Sequence, residues 1–136
     1  MNSKILVVDD SVVVVKTLQM KLGAAGFKVV TAFDGGEALG VVRREAPGLI
    51  LLDITFPPDV ASGGGVAWDG FLLMKWLRRS ESTQNTPVIV ITGGDPAKYR
   101  DRALAEGAID FFTKPIDHTR LVDVIRQTLH EPAAAA

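Results

Sequence analysis

Cysteine is absent from the 136 residues. That excludes disulfide frameworks, thiolate zinc sites and cysteine nucleophiles, and it fits a reducing compartment. Histidine is scarce as well. Only His118 and His130 occur, both near the end of the chain, which argues against a histidine-based metal cluster. Neither sign of charge dominates: 15 Lys and Arg against 16 Asp and Glu give a formal net charge of −1. No overall field therefore recruits nucleic acid or an anionic membrane. No apolar run is long enough to span a bilayer, and Met1, Asn2, Ser3 and Lys4 lead directly into an apolar segment. The expectation is a cytoplasmic protein with neither signal peptide nor membrane anchor. What is present is ordinary for a globular chain: 47% hydrophobic and 23% charged residues, in a length that suits one domain with a sizeable core.

The most informative stretch is Leu49-Ile50-Leu51-Leu52-Asp53. A short continuous apolar run, bounded by Pro47-Gly48 and Pro57-Pro58, reads as a strand buried on both faces. Asp53 falls at its carboxyl end, where ligands bind in open α/β sheets. A charge so close to a buried strand is costly unless it is paired, metal-bound or functional.

The rest of the chain supplies similar units. Residues 4–8 form a second apolar run, which ends in Asp9-Asp10, and Asp10-Ser11 offers helix N-cap chemistry. Residues 12–25 are ambiguous locally, because four consecutive valines favour a strand. Val14, Leu18 and Leu22 recur at intervals of four, however, and Gly26 offers a stop, so the segment reads as a helix. Residues 27–32 read as a strand, Asp34-Gly35-Gly36 as a turn, and residues 37–45 as a helix. After Asp53 the pattern breaks. Residues 55–69 hold two prolines and Ser62-Gly63-Gly64-Gly65, a longer connection than such units normally use. A helix over 70–80 follows, with Leu72, Leu73, Trp76 and Leu77 on or near one face. Next come a polar loop over 82–86, a strand over 87–92, and a helix opened by Asp95-Pro96 and closed by Gly107. Residues 108–112 make the fifth strand, and Asp117 or Thr119 starts a last helix through Leu129. Residues 131–136 read as a tail or linker stump.

Five strands alternating with five helices predict an α/β domain, with a parallel sheet and helices on both faces. In that architecture Asp9-Asp10, Asp53, Thr92 and Lys114 meet at one edge of the sheet. Three carboxylates suit a hard cation such as Mg²⁺. The cation would offset their mutual repulsion and neutralise charge on a phosphoryl group in transfer. A carboxylate can act as nucleophile and form an acyl phosphate. The lysine can pair with phosphate oxygens, and the threonine hydroxyl can donate to them.

Four stretches together resemble the receiver domain of two-component response regulators, in particular the stand-alone, chemotaxis-regulator-like kind. They are Ile5-Leu6-Val7-Val8-Asp9-Asp10, Leu51-Leu52-Asp53-Ile54, Val90-Ile91-Thr92-Gly93, and Gly107-Ala108-Ile109-Asp110-Phe111-Phe112-Thr113-Lys114-Pro115. The resemblance implies a flavodoxin-like (βα)5 doubly wound sandwich of strand order 2-1-3-4-5. It implies a receiver domain over 1–130 with an inserted loop at about 56–69. It also implies that Asp53 accepts a phosphoryl group from a sensor histidine kinase or a histidine phosphotransfer protein. Mg²⁺ would be held by Asp9, Asp10, Asp53 and the backbone carbonyl of Thr55. Thr92 and Lys114 would bind the phosphoryl oxygens, Phe111 would be the switch aromatic, and the bond before Pro115 would be cis. As a signalling domain, the chain would assist its own phosphorylation and dephosphorylation without being an enzyme. Output would pass through a partner protein or a missing effector domain, with no direct nucleic-acid or membrane contact.

The pattern departs from the family in two places. Phe56-Pro57 stands where the family has a Met-Pro dipeptide, and residues 58–68 contain what looks like an insertion. The switch aromatic is Phe rather than the common Tyr, so it has no hydroxyl to hydrogen-bond in either rotamer.

Other readings stand beside these. Asp9 and Asp10 could be helix caps, Asp53 a turn residue, Thr92 an ordinary strand-end residue and Lys114 a solvated one. Gly63–Gly65 invites a phosphate-loop reading, but no Gly-Lys-Ser/Thr follows. A lid, a partner-binding loop or a neutral insertion fits that stretch better. His118 and His130 read as exposed helix residues without a role. Val12, Val13, Val15 and Met20 exceed what one helix face buries, which points to an apolar docking patch or to packing under the loop. An aspartate-nucleophile phosphatase would need an acid two residues after the nucleophile, where Thr55 follows Asp53 and Ser11 follows Asp9. A module with an idle site would not need all of Asp9, Asp10, Asp53, Thr92 and Lys114.

Overall fold

The computed structural model describes residues 3–54 and 70–129. Within them lie strands β1 (Lys4–Val8), β2 (Lys28–Ala32), β3 (Leu49–Asp53), β4 (Val88–Thr92) and β5 (Asp110–Thr113). The helices are α1 (Val12–Ala24), α2 (Gly35–Glu45), α3 (Gly70–Arg79), α4 (Pro96–Ala105) and α5 (His118–Leu129). All strand pairs are parallel, in the order β2-β1-β3-β4-β5. The parallel α/β sheet is the one that the alternation of strands and helices predicts, and its strand order is the flavodoxin-like one that the family resemblance implies.

Period-two alternation splits the core into two layers. Leu6, Val8, Ile50, Leu52, Val88, Val90 and Phe111 face one side, with residues of α2, α3 and α4. Ile5, Val7, Leu49, Leu51, Ile89, Ile91 and Phe112 face the other, with residues of α1 and α5. Every residue of β3 and β4 is buried. That explains why their sequences read as unbroken apolar runs.

Local chemistry moves several boundaries. Ser11, not Asp10, caps α1: it has an extended backbone and its side chain accepts from the Val14 N–H. Asp10 is thereby left out of the cap. In α1 the buried side chains are Val15, Leu18 and Leu22, while Val12, Val13 and Met20 stay exposed. Asp34 caps α2 by accepting from the Glu37 N–H at 2.7 Å, so Gly35 and Gly36 belong to the first helical turn rather than to a separate turn. The fifth strand starts at Asp110 because Ala108 still closes α4, its N–H bonding to the Ala103 carbonyl. His118 opens α5 and is half-buried rather than exposed. The loop expected over 55–69, the Phe56-Pro57 departure, His130 and the tail lie outside the described residues.

One arginine ties the amino edge of the sheet together. Arg78 Nη1 donates to the carbonyls of Thr83, Gln84 and Thr86, and Nη2 donates to the carbonyl of Gly107. Gly107 has φ +104, a conformation that favours glycine. Partial burial lowers the pKa of the guanidinium from its usual value, and the carbonyl dipoles offset that burial. Arg78→Lys keeps the charge but loses the planar fork. It is expected to lower the unfolding free energy by about 1–2 kcal/mol in urea titration, because several charge-assisted hydrogen bonds are lost. An unchanged midpoint would show that the clasp contributes nothing.

Candidate functional site

The site forms at the carboxyl edge of the sheet from the ends of β1, β3, β4 and β5. Asp53 is the last residue of β3 and pairs in register with Ile91, one residue before Thr92. Thr92 ends β4 and pairs with Thr113, one residue before Lys114. The Lys114 N–H bonds to the Thr92 carbonyl at 2.9 Å. The ladder thus brings Asp53, Thr92 and Lys114 together without any loop. Asp9 directly follows β1, the neighbour of β3, and is anchored by its own N–H to the Ala32 carbonyl.

Asp9 and Asp53 are only 2% and 3% exposed, and Thr92 is fully buried. One oxygen of Asp9 accepts from the Ser11 N–H at 2.9 Å. The other lies 2.9 Å from Lys114 Nζ, which also reaches Asp53 Oδ2 at 3.3 Å. Burial on its own would favour the neutral amine. The hydrogen bonds and charges of Asp9 and Asp53 outweigh it, so Lys114 is held above its ordinary pKa. The stability from this pairing is present below the unfolded lysine value of about 10.4 and is lost only as pH rises through the raised folded value. The ammonium is therefore charged throughout the neutral range.

Asp9, Asp10 and Asp53 each offer a carboxylate oxygen, all within 4.8 Å of one another. Two are buried and Asp10 is exposed. This all-oxygen set fits a hard divalent cation that keeps part of its water shell. The Thr55 carbonyl lies outside the described residues. The Lys114–Pro115 peptide bond is cis. Phe111 is 7% exposed, with its ring in the core layer shared by α3 and α4. The Thr92 hydroxyl accepts from the Gly94 N–H at 3.0 Å.

Two glycines shape the rim for reasons of space. A Cβ on Gly70 would come within 2.5 Å of Ile54 Cα, so α3 begins pressed against the chain just after Asp53. A Cβ on Gly94 would meet the ring of Tyr99. Neither contact is signalled by periodicity in the sequence.

The family model for the response regulator receiver domain matches residues 5–126. Response regulator PleD of Caulobacter vibrioides is 39% identical over 126 residues, which is 93% of this chain but 26% of PleD. Protein PilH of Pseudomonas aeruginosa is 31% identical over 127 residues, 93% of this chain and 98% of PilH. Among solved structures, chemotaxis protein CheY4 of Vibrio cholerae superposes with a TM-score of 0.80 at 26% identity, covering 94% of this chain and 99% of that one. No described helix is long and apolar enough to cross a membrane. With strand order, site geometry and family match in agreement, the chain belongs to the receiver-domain family of two-component response regulators.

Proposed function

We propose that this chain is a phosphoacceptor switch of a phosphorelay and that Asp53 is the acceptor. The observation that carries the reading is Lys114, whose ammonium bridges two buried carboxylates, Asp9 and Asp53, at the end of the sheet. An oxygen of Asp53 attacks the phosphorus of a phosphohistidine on a sensor histidine kinase or phosphotransfer protein. The P–O bond forms as the P–N bond breaks, and the electron pair leaves on the imidazole nitrogen. Lys114 pairs with the incoming phosphoryl oxygens, and Thr92 donates its hydroxyl to one of them. Asp9, Asp10, Asp53 and the Thr55 carbonyl would hold Mg²⁺, which supplies charge neutralisation for the transfer. The receiver is proposed to run over 1–130, with 56–69 as an insertion, and to assist its own phosphorylation and dephosphorylation in the cytoplasm.

Output passes to a partner protein or to an effector domain. Exposed Val12 and Val13 on α1 support a protein donor. Val13 also borders an apolar cavity of about 130 Å³ that reaches Lys114 and Pro115, beside the acceptor. Phe111 is buried in the core layer of α3 and α4, and phosphorylation is proposed to favour that inward rotamer.

Incubation with acetyl phosphate and Mg²⁺ should place one phosphoryl group on Asp53, located by mass. Undiminished label in Asp53→Asn, or full labelling with a chelator present, would overturn the assignment.

Lys114 also shares its oxygens with the proposed cation, so the two positive charges repel. Lys114→Gln should tighten Mg²⁺ binding about fivefold by calorimetry, as removing roughly 1 kcal/mol of repulsion would do. The same change should slow labelling of Asp53. Weaker Mg²⁺ binding in the variant would count against a shared site.

A further inference from the structure

The Thr92 hydroxyl has a second neighbour that the acceptor chemistry does not use. It accepts the Gly94 N–H at 3.0 Å. Gly94 is not among the positive-φ residues, so its backbone does not call for glycine. The surroundings do. A Cβ at this position would lie 2.6 Å from Cε2 and 3.0 Å from Cδ2 of Tyr99. The half-buried ring of Tyr99 therefore rests on the backbone of the residue whose N–H holds the Thr92 hydroxyl.

Tyr99 lies in the first turns of α4, behind the Asp95 cap. Its ring stacks on Phe71 of α3, with centroids 6.4 Å apart and planes at 29°. Lys98 Nζ lies 5.3 Å from the Tyr99 ring centre, and the Arg102 guanidinium lies 4.0 Å from that of Phe71. Phe71 follows Gly70, which packs against Ile54, next to Asp53. Two routes from the acceptor therefore end on this ring pair. One runs through Thr92 and Gly94, the other through Ile54, Gly70 and Phe71.

We infer that Tyr99 is a second aromatic relay of this receiver, reading the state of Thr92 through Gly94 and passing it to the α3–α4 surface. The inference rests on the acceptor reading given above. A hydroxyl can accept one bond while donating another. Turning Thr92 about χ1 to reach a phosphoryl oxygen nevertheless carries its oxygen away from Gly94. The freed Gly93-Gly94 segment shifts easily, because glycine tolerates many backbone conformations. The Tyr99 ring fills the space that a Cβ on Gly94 would need, so a shift of the segment toward α4 displaces the ring. The outcome is a rearranged edge of α4, where exposed Lys98 lies over the Tyr99 ring and exposed Arg102 over the buried Phe71 ring. Phe111 has less room to answer, being only 7% exposed already.

Tyr99 is the single tyrosine of the chain, so fluorotyrosine labelling gives one ring signal in fluorine NMR. In the free protein, Thr92→Ala should shift that signal clearly and Thr92→Ser should return it close to wild type. Phe111→Leu should leave it in place. Gly94→Ala, which forces the ring aside, should also shift it. An unmoved signal in Thr92→Ala would overturn the relay whatever happens at Asp53. With beryllofluoride and Mg²⁺, the bound fluorides report the acceptor site by their own resonance. Wild type should show both that resonance and a Tyr99 shift. Thr92→Ala should show the resonance with most of the shift lost, and an equal shift in both would overturn the relay. Missing bound fluoride in wild type would instead overturn the acceptor reading, while the free-protein comparison still decides the Thr92–Tyr99 coupling. Tyr99→Leu should change the rate of labelling by acetyl phosphate about threefold, and an unchanged rate would count against coupling back to the site.

Discussion

Two carboxylates at 2% and 3% exposure cannot share the end of a sheet without a cation. Removing each from water costs several kcal/mol, and their like charges add to the cost. Lys114 answers both, at 2.9 and 3.3 Å. Its own position comes from the backbone, through its N–H on the Thr92 carbonyl. The pairing holds only if β1 and β3 are neighbours and β5 lies beyond β4. The strand order is therefore a condition of the charge balance as well as of the core.

The sheet and the rim divide rigidity between them. β3 and β4 are buried along their whole length, and their side chains alternate between two packed layers. Interiors packed at crystal-like density resist displacement, so Asp53 and the Thr92 backbone are fixed points. Directly beyond them stand Gly93 and Gly94, exposed and half-buried respectively. A hydroxyl rotation at Thr92 thus meets a stiff strand on one side and a pliant segment on the other. Its consequences travel along the pliant side, toward α4.

Most of the fold was legible because the signals were local and redundant. The apolar runs ending in Asp9-Asp10 and Asp53, and the stretch from Gly107 to Pro115, each carried a strand end and its chemistry together. The α1 segment was harder. Its four valines favour a strand, and the helix shows instead in the four-residue spacing of Val14, Leu18 and Leu22. The side chains it buries are Val15, Leu18 and Leu22, so Val15 belongs to the core and not to the apolar surplus, while Val14 is half-buried. Helix starts are less sharply written: of the pair Asp10-Ser11 it is Ser11 that caps α1, and Asp34 draws both following glycines into α2 instead of a separate turn. The reason is that several neighbouring residues can cap, and the backbone angles decide among them. The Arg78 clasp and the Gly94–Tyr99 contact had no signature at all. Each joins a side chain to backbone of another element, and neither hydrophobic period nor motif records such a meeting.

The replacement of tyrosine by phenylalanine at position 111 acquires a physical meaning beside Tyr99. A tyrosine on β5 could hydrogen-bond outside and so keep an outward rotamer populated. Phe111 has no such anchor, and apolar burial alone sets its preference, worth on the order of 1–3 kcal/mol toward the inside. It is found inside. The stronger that preference, the less a ligand can add to it, since a ligand shifts an equilibrium only where the two states differ in free energy. Tyr99 is different: it is half-buried at the edge of the core layer of α3 and α4, it stacks on Phe71, and its ring fills the space that a Cβ on Gly94 would need, beside the N–H that the Thr92 hydroxyl accepts. Moving a half-buried ring costs less apolar burial than moving a fully buried one. The capacity for two states therefore lies on the α3–α4 side of the site, where the rings are capped by Lys98 and Arg102 and any displacement would alter the charge pattern offered to a partner.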